Sequence, residues 1–328
     1  MEFLSSDFLG TPLGFWAAFL GLVAGLLVLD LGVLHRKQRE IGVRESLLMS
    51  AFYITVGLGF GAWVWFARGD VAGLDYVTGF LVEKSLAMDN VFVIAMIFAY
   101  FGVPRLYQHR VLFWGILGVI VLRAIMIGFG TALVESAGWV LYLFAAFLIY
   151  TGIKMWVSAD ETYEVGKSPM LAWLRRRFRV TDALHGERFF VHETDGKSGK
   201  AVRAVTPLFL ALVTIELADV IFAVDSIPAI FAITTDPFIV YTSNVFAILG
   251  LRALYFALSA MIDRFHYLKH ALALLLVFIG SKVFVADLLG TGKFPPVLSL
   301  GVTVAILAGG VIYSLAKTRK GTALPASD

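Results

Sequence analysis

Apolar residues fill runs of about 20 positions along nearly the whole chain, separated by short polar breaks and one long polar stretch. An α-helix needs roughly 20 such residues to cross the hydrocarbon core of a bilayer. The pattern therefore predicts an all-α polytopic membrane protein with about nine membrane-spanning helices. The predicted spans are 13–34, 46–67, 74–101, 111–134, 137–157, 204–233, 238–262, 268–288 and 295–316.

Composition supports the same class and excludes some chemistry. The 328 residues are 59% hydrophobic and 16% charged, with a mean hydropathy of +0.84, whereas a soluble chain carries about 25% charged residues. The chain has no cysteine, which excludes disulfides, thiolate metal sites and thiol redox chemistry of its own. Residues 1–12 contain no basic residue, so we expect the first apolar run to be a retained helix and not a signal peptide.

Basic residues are concentrated in alternate polar segments. Twenty Lys and Arg residues belong to one set of segments, nine of them in 158–203, whereas the other set holds only Arg68 and Lys293. Cytoplasmic loops of membrane proteins carry the excess of Lys and Arg. The pattern predicts a plasma (inner) membrane protein with its amino terminus outside and its carboxyl terminus in the cytoplasm.

Two elements are predicted within the long polar segment 158–203. Residues 168–180 combine leucines with four arginines, which is typical either of a basic helix at the membrane surface or of a solvated connector. Further on, RFFVHE and KAVRAV flank the turn-rich sequence TDGKSG, and Asp-Gly is a favoured turn dipeptide, so we expect a small β-hairpin. The basic residues lie where topology already requires them, so nucleic-acid binding is not predicted.

Two stretches of the chain carry the same landmarks in the same order. In the first, LVEKSLAMDNVFV precedes ILGVIVLRA and FLIYTGIKMW; in the second, LVTIELADVIFAVDSIPA precedes FAILGLRAL and LLVFIGSKVF. The stretches begin on opposite predicted sides of the membrane, so we expect inverted three-helix repeats, as in secondary transporters. The resulting division is 1–73 (two helices), 74–157 (first repeat), 158–203 (cytoplasmic loop), 204–288 (second repeat) and 289–328 (last helix and tail).

Ionisable and polar residues occur inside several predicted spans. A charge at mid-membrane costs about 2.5–3.5 kcal/mol on insertion scales, so each is a functional-site hypothesis. Helical spacing places Glu83 with Asn90 on one face, and Asp219 with Ser226 on another. The candidate charge-balancing residues are Lys84, Arg123 and Arg252, and the candidate gate or supporting residues are Asp30, Ser85, Lys154 and Lys282. The alternative is that these charges only pair with one another and hold the bundle together.

The available ligand atoms favour a hard cation. All six histidines fall in predicted loops or at span ends, so the intramembrane groups are carboxylates, hydroxyls, an amide and backbone carbonyls. This set suits Mn²⁺, Ca²⁺ or Mg²⁺ and not Cu⁺ or structural Zn²⁺. We also expect Pro228 to kink or open its helix and to free a carbonyl beside Asp225. Because carboxylates bind protons as well as metals, exchange against H⁺ is a natural coupling.

The sequences EKSLAMDNVFV and ELADVIFAVDSIPAIFAITTDPFIVYTSNVFAILGLRA resemble the TerC family, and more closely its Alx branch, over about residues 13–316. Members are associated with manganese export, alkaline-pH response and, for some, tellurite resistance. The resemblance implies Mn²⁺ efflux through the positions that match the acidic motifs. These positions are Glu83, Asp89, Asn90, Glu216, Asp219, Asp225 and Ser226.

Two functions are compatible with this sequence. The first is a secondary exporter of Mn²⁺ with no bound cofactor. The second is a membrane scaffold or assembly factor, because plant relatives of the family are linked to membrane-protein assembly. An enzyme is not predicted, since no nucleophile–base pair, phosphate loop or cofactor fingerprint stands out.

Overall fold

The computed structural model describes residues 6–30, 42–158, 165–167, 169–194, 201–259, 268–290 and 293–321, and most of them are helical. The α-helices are α1 (Leu13–Leu29), α2 (Val43–Arg68), α3 (Asp70–Tyr100), α4 (Arg105–Ser136), α5 (Val140–Val157), α6 (Pro169–Arg177), α7 (Pro207–Phe231), α8 (Pro237–Leu249), α9 (Leu251–Leu258), α10 (Leu268–Leu288) and α11 (Pro296–Gly321). The strands are β1 (Asp7–Phe8), β2 (Thr11–Pro12), β3 (Phe190–Thr194) and β4 (Ala201–Val205).

Helices occupy all nine predicted spans, with α8 and α9 together filling the seventh. Among the described residues, six helices are long and apolar enough to cross a membrane: α2, α4, α5, α7, α10 and α11. The α1 and α8 helices are apolar but shorter, and α3 is 31 residues long but contains charged residues at its centre. The structure therefore supports a membrane protein with several spans, and nine crossings remain a prediction.

The core of the bundle is built by helices from both halves of the chain. The α3 helix packs against α7 and α8, α4 packs against α7 and α8, and α5 packs along α10. A Cβ atom at Gly152 in α5 would lie 2.8 Å from the carbonyl oxygen of Ala273, and one at Gly280 in α10 would lie 2.6 Å from that of Ala145. The carboxyl-terminal part of each helix contacts the amino-terminal part of the other, so α5 and α10 are antiparallel.

One end of the bundle, here called the acidic end, is where α2 ends and α3 and α8 begin. Two basic residues of the described loops and helix ends here are paired with acids: Arg68 with Asp236 at 2.7 Å, and Lys293 with Asp75 at 2.7 Å. Asp236 also caps α8 by accepting hydrogen bonds from the first backbone N–H groups of that helix. These pairs join helices that are distant in sequence.

The opposite end, here called the basic end, carries α6 and the β3–β4 hairpin. The two strands pair antiparallel from Phe190 opposite Val205 to Thr194 opposite Ala201. Leu171 and Leu174 of α6 are buried in the protein core, whereas Trp173 is 59% exposed. The leucine face of α6 therefore packs against protein, and a membrane-surface role for this helix remains a prediction.

The α7 helix continues through Pro228 to Phe231, so it does not open at this residue, and the alternative expectation of a kink there stays a prediction. Pro228 lies in the last turn, where loss of a single backbone hydrogen bond interrupts little of the helix. An interruption of the regular helix separates α8 from α9 at Gly250 in the next span, although the backbone of Gly250 itself stays in the right-handed helical region (φ −82°, ψ 0°). The broken helix thus belongs to the seventh predicted span.

Candidate cation site at the centre of the helix bundle

Arg123 lies at the middle of α4 and is 1% exposed. Its Nη1 lies 3.0 Å from a carboxylate oxygen of Glu83 in α3 and donates a hydrogen bond to the hydroxyl of Ser226 in α7. Its Nε lies 3.5 Å from a carboxylate oxygen of Asp219, also in α7. One guanidinium therefore joins two carboxylates and a hydroxyl from three helices, far from either end of the bundle.

Asn90 extends this cluster towards a small cavity. Its Nδ2 donates a hydrogen bond of 3.3 Å to the other carboxylate oxygen of Asp219, so α3 and α7 are joined a second time. Both residues line a cavity of about 30 Å³, whose remaining walls are mostly aliphatic side chains of α3, α4, α7 and α8. A volume of this size holds about one water molecule, so the polar wall of this cavity is the Asp219–Asn90 pair.

Glu216 lies one turn before Asp219 on α7 and points at α4. A Cβ atom at Gly118 would lie 2.5 Å from its carboxylate, and one at Gly115 would lie 3.4 Å from it, so a side chain at 118 would force this carboxylate to move. Both carboxylate oxygens are buried and make no hydrogen bond with any residue the structure describes. A buried carboxylate without partners is costly, which marks Glu216 as a group whose function is not structural pairing.

Lys84 of α3 makes a comparable close approach to a glycine of the other half of the chain. Its Nζ donates a hydrogen bond of 3.0 Å to the carbonyl oxygen of Ala247 and lies 2.8 Å from where a Cβ atom at Gly250 would be. A cation at the carboxyl end of α8 also interacts favourably with the helix dipole. The glycine of each Ile-Leu-Gly motif, Gly118 or Gly250, therefore accommodates an ionisable side chain from the other half.

The remaining candidate residues lie outside this cluster. Asp89 and Asp225 are half-buried; Lys269 is the charged neighbour of Asp89, and Lys154 that of Asp225. The hydroxyl of Ser85 donates to the carbonyl of Leu81 in its own helix, the buried Lys282 donates to Ser299 at 3.1 Å, and Asp30 is buried at the end of α1. The side chain of Arg252 lies outside the described part of the chain.

Metal binding is therefore not preformed in the described residues. None of their His, Asp and Glu side chains form a group of three or more that could hold a metal ion. Of the predicted ligands, Glu83, Asn90, Asp219 and Ser226 are brought together, with Glu216 one turn away. Arg123 pairs with Glu83 and Asp219 in the structure, whereas Glu216 has no hydrogen-bond partner among the described residues.

Asn244 of α8 is a polar residue that the sequence reasoning did not select. It is fully buried, and neither atom of its amide is hydrogen-bonded to a described residue. Ile248, one helical turn later, lines the small cavity. The available signal was an amide inside a predicted span, within the same long block that carries the acidic motif.

Comparisons with known proteins agree with this membrane architecture. A family profile described as integral membrane protein TerC family matches residues 68–322. A membrane protein of Myxococcus xanthus, STKORF319, is 44% identical over 319 residues, which is 97% of this chain and 96% of the relative.

Two further relatives are of similar closeness. Alx of Escherichia coli (strain K12), by its name a proposed membrane-bound redox modulator, is 47% identical over 307 residues, or 91% of this chain and 92% of Alx. A membrane protein of Rickettsia bellii is 45% identical over 300 residues, or 92% and 96% of the two chains. No solved structure gives a significant match. The profile and these relatives cover most of the chain, which therefore belongs to the TerC family of integral membrane proteins.

Proposed function

We propose that this protein is a secondary transporter that exports a divalent metal cation, Mn²⁺ being the favoured substrate, from the cytoplasm. The observation that carries the proposal is the convergence of Glu83 and Asp219 on one buried guanidinium at the middle of the bundle. Carboxylates from two different halves of a membrane protein form a site that a cation can occupy. Their oxygen atoms suit Mn²⁺, Mg²⁺ or Ca²⁺.

In this proposal Arg123 takes the place of the transported ion when the site is empty. The guanidinium pairs with both acids in the absence of metal and supplies one positive charge to them, and the adjoining cavity has room for about one water. A divalent cation that binds to Glu83 and Asp219 must displace Arg123, because two cations between the same carboxylates repel each other. Return of Arg123 would then help to release the ion on the other side.

The packing supports the proposed inverted repeats, 74–157 and 204–288. Gly152 approaches Ala273 and Val277, and Gly280 approaches Ala145 and Ile149, which are the same contacts with the two helices exchanged. The α3–α8 and α4–α7 contacts are related in the same way. A two-fold axis in the membrane plane produces such reciprocal contacts between antiparallel helices, and rocking of one repeat against the other would give alternating access.

We further propose nine crossings, with the basic end in the cytoplasm. The described Lys and Arg residues are concentrated at that end, whereas at the acidic end Arg68 and Lys293 are each paired with an acid. This distribution supports the orientation that the positive-inside rule predicts. Exchange of the metal for protons is part of the proposal, because the same carboxylates bind both.

The second candidate is a membrane scaffold or stress factor without transport, and the name of Alx as a redox modulator favours considering it. The chain has no cysteine, so a redox role cannot use a thiol of this protein. Export of a redox-active metal such as manganese would influence redox state indirectly. Transport therefore accounts for the buried acids and accommodates a redox phenotype as a consequence.

The deciding experiment uses purified protein in liposomes that contain a metal-sensitive dye, with Mn²⁺, Mg²⁺ or Ca²⁺ added, with and without a pH gradient. We expect Mn²⁺ flux from the wild type, loss of flux in Asp219→Asn and in Glu83→Gln, and unchanged flux in the control Asp182→Asn, whose carboxylate is exposed at the basic end. Normal flux in both site variants would show that the site is misassigned. Absence of flux for every ion would favour the scaffold.

A further inference from the structure

A groove of about 490 Å³ runs along the outside of the bundle where α11 crosses α5 and α10. One face of α11 forms its floor, with Ala305, Gly309, Tyr313 and Lys317 at four-residue spacing. Nothing lies within 4 Å of where a Cβ atom at Gly309 would be, so the groove is open there. These four residues extend over about 18 Å of helix, close to the thickness of one leaflet of the roughly 30 Å hydrocarbon core.

The two ends of this groove differ in chemistry. Towards the middle of the membrane its walls are apolar and small, at Ala305 and Gly309. At the basic end of the bundle it is bordered by Lys317 and His270, and no Asp or Glu is among the residues that line it. The Nζ of Lys317 lies 3.3 Å from the hydroxyl of Tyr313, so the ammonium and the phenol lie side by side at this end of the groove.

Aromatic side chains mark the level of the membrane surface at this end. The ring of Trp156 at the end of α5 stands edge-on to the ring of His270, with centroids 5.1 Å apart. Tryptophan and tyrosine are enriched where lipid headgroups begin. The basic end of the groove therefore lies at headgroup depth, and its apolar part lies at acyl-chain depth.

We propose that this groove is a binding site for one anionic phospholipid. An acyl chain lies over Ala305 and Gly309, and the phosphate is held by Lys317 and His270, with the hydroxyl of Tyr313 as an additional donor. Basic pockets between membrane helices at the cytoplasmic side are suited to anionic headgroups. A zwitterionic lipid would fill the apolar part equally well, so the charge of the headgroup is the property that the site selects.

The chain offers a matched control groove. A second outer groove of about 350 Å³ contains no charged residue. It is lined by Ala18, Leu22, Val56, Gly59, Phe60 and Trp63. It has a glycine with open space as well, since nothing lies within 4 Å of a Cβ atom at Gly59. A glycine-to-leucine substitution thus fills either groove in the same way. Only the groove at Gly309 has a basic residue, Lys317, at one end.

The test is native mass spectrometry of the full chain purified with an equimolar mixture of phosphatidylglycerol and phosphatidylethanolamine. We expect wild-type protein to retain phosphatidylglycerol preferentially and Lys317→Gln to lose this preference by about fivefold, the factor that one basic residue near an anionic headgroup provides. Gly309→Leu should lose the retained phosphatidylglycerol itself. Gly59→Leu should keep both the lipid and the preference.

Lys317 is exposed on the last turns of α11, so Lys317→Gln tests the site even if Gly309→Leu fails to fold. Equal retention of the two lipids by the wild type would overturn the proposal, as would an unchanged preference in Lys317→Gln. If Gly309→Leu instead converts a dimer to a monomer and leaves lipid retention unchanged, the groove is an interface between two copies of the chain, and the lipid assignment is wrong.

Discussion

At the scale of single residues, Arg123 determines the state of the central cluster. Its planar guanidinium presents N–H groups in several directions at once, so it can reach Glu83, Asp219 and Ser226 together, which the single ammonium of a lysine could not do with the same geometry. Removing one partner from a buried ion pair leaves an uncompensated charge. The three charged side chains should therefore behave as a unit.

We predict that Arg123→Gln destabilises the protein by about 3–5 kcal/mol, because Glu83 and Asp219 are then buried without a counter-charge. Arg110→Gln is the matched control: Arg110 pairs with Glu187 at 3.0 Å, but its side chain is 40% exposed, so its loss should cost less than about 1 kcal/mol. Thermal unfolding in detergent measures both. Adding Glu83→Gln to Arg123→Gln should recover part of the loss.

The same variants test whether a divalent ion can replace the guanidinium. In Arg123→Gln the two acids lack their internal cation, so Mn²⁺ should raise the Tm more than it does in the wild type. In the double variant with Glu83→Gln this gain should be smaller. Equal shifts in wild type and Arg123→Gln would mean that Arg123 and the metal do not compete for one site.

Part of this cluster was predictable from spacing alone. Asp219 and Ser226 were expected to share a helical face, as were Glu83 and Asn90, and in the structure both pairs point to the same centre. Spacing within a helix cannot show which other helix provides the counter-charge, so Arg123 was assigned only as a neighbour of some acid. Asn244 was missed because its importance depends on the absence of a partner, which only packing reveals.

At the scale of secondary-structure elements, the α5–α10 contact depends on two glycines that let the helix backbones approach closely, as small residues commonly do between membrane helices. In the sequence each of these glycines stands two residues before a lysine, Lys154 or Lys282. The sequence analysis singled out the lysines and not the glycines. The structure shows that the glycine also has a packing role at Gly152 and Gly280. A contact that recurs with the helices exchanged should respond equally to substitution in either helix.

We predict that Gly152→Ala and Gly280→Ala each lower the Tm by similar amounts, because the added methyl group would lie within 3 Å of a backbone carbonyl oxygen of the other helix. Gly128→Ala is the control, since nothing lies within 4 Å of that position in α4 and alanine favours the helix by about 0.5–1 kcal/mol. Thermal unfolding of the three variants in one detergent gives the comparison. Tm values for Gly280→Ala and Gly128→Ala that agree would contradict the close α5–α10 contact.

The effect of Pro228 on its helix was also an element-level prediction: the α7 helix does not open there, and a kink stays a prediction. Proline was the only breaker signal used, and Pro228 falls too near the end of α7 to open it. The break at Gly250 accompanies a contact that no local rule contains, because the Nζ of Lys84 in α3 bonds to the carbonyl of Ala247. The interruption at Gly250 was therefore not predicted from local sequence, since it accompanies a contact with another helix.

At the scale of the whole molecule, the two ends of the bundle differ in charge, and the first and last helices connect to opposite ends. The α1 helix begins at the acidic end, where the ring of Trp16 lies 5.1 Å from that of Phe238, beside Arg68. The α11 helix ends at the basic end, where Lys317 lines the same groove as His270. An odd number of crossings follows if these ends face opposite sides of a membrane, which agrees with the nine predicted spans and not with six.

Single-cysteine labelling can test this arrangement cleanly, because the natural chain has no cysteine. Asp7→Cys lies at the acidic end, whereas Ala183→Cys and Ala316→Cys lie at the basic end, and all three positions are exposed. With nine crossings and the basic end in the cytoplasm, a membrane-impermeant maleimide should label only Asp7→Cys in right-side-out spheroplasts and all three variants after permeabilisation. An even number of crossings would make Asp7→Cys and Ala316→Cys react alike. Labelling of Ala183→Cys and Ala316→Cys without permeabilisation would keep the odd number but reverse the orientation, and the direction of transport proposed here would reverse with it.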